Sequence, residues 1–237
     1  KGILGKLRIA TLNAAPCPPS LIHKLRECGI GQLCSAYGLT EFEAACATTN
    51  TDSVDAIANT VGKPVPGALV KILSDRCEKV EAGEVGEIYL GGYSLMQGYF
   101  KDEALTQSVV GRDGYFATGD LGRFNDEGYL QILGRKKDMI IVHGLNVYPA
   151  EVENQLMQSG MLTQAAVIGR ANRLAGEECV AFVVPLNVAD FDVKKLASWS
   201  RKNMATYKLP GKFMVLDRMP LNANGKIDKL ALRRQIG

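Results

Sequence analysis

At 237 residues, 46% hydrophobic and 22% charged, the chain has the size and composition of a globular protein able to bury a sizeable core, as one large domain or two modest ones. A net charge of +3 on scattered basic residues argues against an electrostatic nucleic-acid or membrane-surface partner. Six cysteines without a C-x-x-C pair, and only two histidines (His23 and His143), argue against a zinc site and a disulfide framework.

The cysteines are therefore expected to be reduced, mostly buried thiols of a cytoplasmic protein. No charged start leads into an apolar h-region, so no signal peptide is expected. The longest strongly apolar run, Cys179 to Leu186, falls far short of the roughly 20 residues that span a bilayer. A soluble chain without a transmembrane segment is expected.

In chain order, Leu7 to Leu12 is an apolar run of strand length. Pro18-Pro19-Ser20 then opens a helical pattern with Leu21, Ile22 and Leu25 on one face, stopped at Gly29. Ile30 to Tyr37 returns as a strand, giving a βαβ-like start that favours a parallel edge. From Val61 the character changes. Gly62, Pro64, Pro66 and Gly67 punctuate the chain, and short strands follow at Ala68–Leu73, Val85–Gly91, Tyr129–Leu133 and Met139–Val142. That spacing is the pattern of an antiparallel or barrel-like β unit.

After Tyr148 the period changes again. Pro149 suits the first position of a helix, with Glu151 and Glu153 in the first turn, where negative charge meets the helix dipole favourably. Strands at Ala165–Ile168, Val180–Val184 and Phe213–Leu216 and a helix from Val193 to about Met204 complete a small α+β domain of ordinary size. The boundary is placed at the Gly134–Asp138 turn.

Four short segments carry polar groups in places a core does not need them. In Tyr37-Gly38-Leu39-Thr40-Glu41 the glycine permits a sharp turn, the hydroxyl suits a phosphate oxygen, and the carboxylate suits Mg²⁺. The ordinary alternative is a polar strand-to-helix turn. Thr118-Gly119-Asp120 offers a carboxylate in a tight turn, able to accept two ribose hydroxyls, or it is a common Asp-Gly turn. Gly134-Arg135-Lys136-Lys137-Asp138 gathers three cations beside a phosphate or ribose, or in a solvated loop. Asn224-Gly225-Lys226 exposes an ammonium at a turn tip; no Ser or Thr follows, so it is not a P-loop.

The order of these segments resembles the C-terminal half of the adenylate-forming enzymes, the superfamily of acyl-CoA synthetases, luciferases and peptide-synthetase adenylation domains. The segments that carry the resemblance are NAAP (13–16), YGLTE (37–41), GEIYLGG–MQGYF (86–100), TGD (118–120), GRKKDMI (134–140), GLNVYPAEVE (144–153) and NGKIDK (224–229), spread over nearly the whole chain. The wording of GRKKDMI–GLNVYP and of Tyr207-Lys208-Leu209-Pro210 looks more like acyl-CoA ligases than amino-acid-activating domains.

The resemblance implies a fold of mixed α/β and α+β type. Residues 1–136 would be the C-terminal part of a large nucleotide-binding domain, with a βαβ edge and a distorted β-barrel from about 61. Residues 137–237 would be a mobile α+β lid. It further implies that Ala14, Ala15 and Pro16 lie along adenine, that Tyr37 stacks on it beside Gly38, and that Thr40 meets the α-phosphate while Glu41 holds Mg²⁺. Asp120 would bind the ribose hydroxyls with Arg135 close by. Lys137 would be the hinge, Gly144 would line the pantetheine channel, and Lys226 would bridge carboxylate and nucleotide.

The activity implied is an ATP-dependent carboxylic acid:CoA ligase that forms an acyl-adenylate and then a thioester, using ATP, Mg²⁺ and coenzyme A. Two other readings stay open: a ligase that loads an acyl carrier protein, and a non-catalytic nucleotide-binding or interaction module. The sequence departs from the family in lacking its glycine-rich phosphate loop with a Lys; Thr48–Ser53 contains no glycine. The acyl pocket's large N-terminal portion is missing as well. The chain is therefore expected to be a fragment, inactive by itself. Leu12-Asn13 and Ser35-Ala36 also stand where glycine is common in the family.

Overall fold

The opening βαβ pattern folds as such. Strands β1 (Ile9–Leu12) and β2 (Gln32–Leu39) run parallel, from Ile9 opposite Gln32 to Leu12 opposite Ser35, and helix α1 (Pro19–Glu27) lies between them in sequence. The computed structural model describes residues 6–13, 19–223 and 225–236. Ile22 of α1, Ile30, Leu33 of β2 and Ile57 form one buried cluster.

Strand β3 (Phe42–Ala47) then runs back antiparallel to β2, with Leu39 opposite Phe42. The strand-to-helix turn that the sequence offered as the ordinary alternative at residues 37–41 does not form; Thr40 and Glu41 are the two-residue tip of a hairpin. Burial gives the reason. Phe42, Ala45 and Cys46 are fully buried against Ile72, Ile88, Leu90 and Leu130, so this segment belongs to a sheet face.

Helix α2 (Val54–Asn59), which hydrophobic period alone did not reveal, is started by Ser53, whose hydroxyl accepts the Ala56 N–H at 3.1 Å. The short strand β4 (Lys63–Pro64) pairs with β3. Next, β5 (Ala68–Leu73), β6 (Gly86–Gly92), β7 (Phe116–Phe124) and β8 (Leu130–Arg135) form a four-stranded sheet in sequence order, with helix α3 (Glu103–Val109) between β6 and β7. The described strands make an open sheet rather than a closed barrel.

The chain divides into two compact units, Lys1–Ile132 and Leu133–Gly237. In the second, β9 (Ile140–Val142), β10 (Leu145–Val147), β11 (Leu162–Asn172), β12 (Gly176–Pro185) and β13 (Lys212–Val215) build one sheet in which β12 is central. Helices α4 (Pro149–Met157), α5 (Val193–Asn203) and α6 (Lys229–Arg233) complete the unit. Successive residues of β12 enter two different cores. Cys179, Ala181 and Val183 pack with Val152, Leu156 and Leu196, while Val180 and Phe182 pack with Ala166, Ile168, Met219 and Leu232. A strand covered on both faces needs apolar residues at every position. That is why Cys179–Leu186 is the most apolar run of the sequence.

Of the described cysteines, Cys46 and Cys179 are buried, Cys28 and Cys34 are half-buried, and Cys77 is exposed. The expectation of mostly buried thiols thus holds for two of the five. Burial pushes the thiols of Cys46 and Cys179 up to about 12, which keeps them protonated and inert. Among the described residues no helix is long and apolar enough to cross a membrane.

Candidate active site

Two sequence segments singled out for chemistry turn out to be β-bulges. Between β2 and β3 the register shifts from Tyr37–Cys46 to Leu39–Phe42, so three residues, Glu43 to Ala45, stand opposite Gly38 alone. A Cβ on residue 38 would lie 1.9 Å from the Glu43 carbonyl oxygen, which leaves glycine as the residue that fits. Between β6 and β7 the register shifts from Glu87–Leu121 to Tyr89–Ala117, so Thr118, Gly119 and Asp120 stand opposite Ile88 alone.

Gly119 takes φ 69° inside this second bulge. The Thr118 hydroxyl donates to the Ile88 carbonyl at 2.8 Å and accepts the Asp120 N–H at 3.0 Å, patching the interrupted ladder. The sequence reading of 118–120 as a tight turn is corrected: the tripeptide lies within a nine-residue strand. Bulges re-aim side chains and recur beside active sites. Here they aim Tyr37 and Asp120 at each other.

The Tyr37 hydroxyl donates to Asp120 Oδ2 at 2.6 Å, across 83 residues of sequence. Asp120 is only 6% exposed, so this neutral donor helps to satisfy a carboxylate that would otherwise be costly to bury. At the hairpin tip Thr40 is exposed and Glu41 half-buried. The Glu41 carbonyl accepts the Met96 N–H at 2.8 Å, Phe42 bridges to Leu95, and the Tyr99 hydroxyl donates to Glu41 Oε1 at 2.8 Å. The bond to Glu41 raises the Tyr99 hydroxyl above the usual phenol range. The sequence gives no sign of this Tyr99–Glu41 bond, although Tyr99 lies in the quoted MQGYF segment, because no local pattern announces a bond over 58 residues.

No group of three or more His, Cys, Asp or Glu able to hold a metal occurs among the described residues. Glu41 Oε2 has no partner among them. A single half-buried carboxylate does fit Mg²⁺, which takes one or two carboxylates and fills its octahedron with phosphate oxygens and water.

The remaining expected site residues belong to the second unit. Arg135 ends β8, and Lys137 lies in a one-turn 3-10 helix, Lys136–Asp138. Asp138 is paired with Arg233 of α6 at 2.8 Å. Gly144 and His143 are the two tip residues of the β9–β10 hairpin, with φ 79° and 50°, the signature of a type I′ turn. The His143 N–H donates to the Ala175 carbonyl at 2.7 Å, anchoring that tip.

Lys226 closes a turn with Asn222, while Asn224 of the expected Asn-Gly pair lies outside the described residues. Asn222 and Lys226 close it by a backbone bond of 2.8 Å and a second from the Lys226 N–H to Asn222 Oδ1 at 3.0 Å. Leu221 bridges to Ile227 beneath it. The lysine is exposed, and no side chain among the described residues holds its ammonium. Ala14, Ala15 and Pro16 lie outside the described residues.

Comparison with known proteins gives this arrangement a family. Residues 1–100 match the model of the AMP-binding enzymes, and residues 151–226 match that of the AMP-binding enzyme C-terminal domain. The chain belongs to the AMP-binding, adenylate-forming enzymes. It is similar to an indoleacetate–CoA ligase of Aromatoleum aromaticum, 36% identical over 98% of this chain and 45% of the relative.

Among solved structures it is similar to the amide bond synthetase McbA of Marinactinospora thermotolerans, with TM-score 0.90, 31% identity, and coverage of 97% of this chain and 47% of that one. The o-succinylbenzoate CoA synthetase of Bacillus subtilis, solved with its acyl-adenylate intermediate, matches with TM-score 0.83 and 33% identity over 97% and 46%. The chain spans about half the length of the relatives it matches.

The Gly38 constraint is testable in the chain as it stands. Gly38→Ala is expected to destabilise the first unit by about 1–3 kcal/mol, because backbone and not a flexible side chain must move. Urea denaturation monitored by tyrosine fluorescence measures it; a midpoint equal to wild type contradicts the bulge geometry.

Proposed function

We propose that this chain is the C-terminal half of an AMP-forming carboxylic acid:CoA ligase. The observation that carries the reading is the Tyr37–Asp120 bond, which joins a ring suited to stack on adenine with a carboxylate suited to two ribose hydroxyls. Thr40 meets the α-phosphate from the exposed hairpin tip, with Ala14, Ala15, Pro16 and Gly38 along the base and Arg135 near the ribose. Glu41 holds Mg²⁺, which neutralises phosphate charge when bound.

In the first half-reaction a substrate carboxylate attacks the α-phosphorus of ATP; the bond to the bridging oxygen breaks and pyrophosphate leaves. Lys226, on its exposed turn, sets an ammonium beside the charge that develops as the carboxylate and α-phosphate meet. In the second, a thiol attacks the acyl carbon of the adenylate, loses its proton and expels AMP. The second unit serves both steps: residues 137–237 act as a lid that turns about Lys137, withdrawing Lys226 and presenting the Gly144 hairpin to the pantetheine arm. The acceptor is coenzyme A, as in the names of the relatives, and the protein works in the cytoplasm. A carrier protein or an amine is the rival acceptor, the latter favoured by the likeness to an amide bond synthetase.

Assay of the intact enzyme with coenzyme A, a holo-carrier protein and an amine decides the acceptor: turnover with coenzyme A is expected, and its absence overturns the choice. In that enzyme Lys226→Ala is expected to slow ATP–pyrophosphate exchange by at least about 10²-fold while sparing thioester formation from a supplied acyl-adenylate. Equal loss in both half-reactions sinks the assigned role. The 237-residue chain alone, without a glycine-rich phosphate loop, gives no exchange; measurable exchange contradicts the reading of it as a half-enzyme.

A further inference from the structure

Resting on this ligase reading, we propose that Tyr99 is a positioning residue for the magnesium carboxylate Glu41, fixing which oxygen of that carboxylate faces the cation. Its hydroxyl donates to Glu41 Oε1 at 2.8 Å, and Oε2 has no partner among the described residues. The bond therefore occupies one oxygen and leaves the other for a single coordination position. Mg²⁺ demands near-ideal octahedral geometry and usually keeps its waters, so a carboxylate locked to one-oxygen ligation suits it.

The donor is also held in place. The Leu95–Tyr99 segment is fixed to the hairpin tip at one end, by the Phe42–Leu95 bridge and by the bond from the Met96 N–H to the Glu41 carbonyl, 2.8 Å. At its other end the Tyr99 N–H donates to the Thr106 hydroxyl of α3 at 2.9 Å, and that hydroxyl donates to the Asp102 carbonyl at 2.9 Å. Between them Gly98 takes φ 154° and lies so close to Thr106 that a Cβ would meet its hydroxyl oxygen at 3.0 Å. Phenol and carboxylate are thus tied together through both backbone and side chain.

A phenol also differs from a cationic donor. No lysine or arginine pairs with Glu41 among the described residues. A cationic partner would cancel the charge that attracts Mg²⁺; a neutral hydroxyl orients the carboxylate and leaves its charge intact. An outer group that orients a metal ligand typically changes metal affinity by 10–100-fold when removed. A tyrosine that merely tied two segments together would contribute stability and nothing else.

The two roles separate in a binding experiment that needs no turnover. In the intact enzyme without acid substrate, ATP binding is followed by calorimetry as Mg²⁺ is varied, for wild type, Tyr99→Phe, and the protein with 3-fluorotyrosine at 99. Tyr99→Phe is expected to need about tenfold more Mg²⁺ for half-maximal enhancement, with Mg²⁺-free ATP affinity unchanged. The fluorinated tyrosine, which keeps the donor, is expected to match wild type.

A Tyr99→Phe protein with wild-type Mg²⁺ dependence overturns the positioning role, even if its melting temperature falls. Should that variant not fold, Thr106→Val, which loosens the segment and spares the phenol, decides by the same readout: a shifted Mg²⁺ dependence supports the role and an unshifted one overturns it. A wild type whose ATP binding ignores Mg²⁺ overturns the ligase reading itself, and this role with it.

Discussion

The β2–β3 hairpin can accommodate Glu43 to Ala45 opposite a single residue only because position 38 has no side chain; a Cβ there would stand 1.9 Å from the Glu43 carbonyl oxygen. From this constraint the first unit's site follows. The bulge lets Tyr37 stay in register with Cys46 while Leu39 and Phe42 close a two-residue tip. That tip carries Thr40 and Glu41. A second bulge at residues 118–120 turns Asp120 to the Tyr37 hydroxyl, and the Leu95–Tyr99 segment closes on Glu41. Both carboxylates thus receive a phenol hydroxyl from a distant part of the chain.

The second unit is built on a different principle. Its central strand β12 is apolar from Cys179 to Val184, where cores lie on both faces. The residues proposed for chemistry lie at the ends of elements: the Lys136–Asp138 turn after β8, the His143–Gly144 tip, and the Asn222–Lys226 turn before α6. The ion pair of Asp138 with Arg233 joins the first of these to the helix that follows the last. A rigid sheet that presents short, well-closed turns suits the lid proposed for it, since such a body moves as a whole.

Much of this was legible in the sequence. Strand β5 has the expected bounds, α4 begins at the expected Pro149, and Asn222, Gly225 and Lys226 are joined by the hydrogen bonds of a turn. These are local signals, set by period, proline and turn chemistry. What local reading missed was set by distant partners. Residues 37–39 and 118–120 looked like turns because glycine and short polar residues usually make turns. In place, β6 opposite Thr118 and β3 opposite Gly38 convert them into bulges within strands. Tyr99 went unmarked for the same reason, since its partner lies 58 residues away. Helix α2 escaped because six residues show too little period, leaving the Ser53 cap as its one cue.

The central claim is that Tyr37 and Asp120 act as one unit in holding a nucleotide. A double-mutant cycle on AMP binding tests it directly: Tyr37→Phe, Asp120→Asn and the double variant, measured by calorimetry in the intact enzyme. Contacting groups couple by about 0.5–3 kcal/mol, so the double variant is expected to lose less affinity than the sum of the two single losses by an amount in that range. Strictly additive losses would mean that the 2.6 Å bond has no part in the site, and would contradict the account.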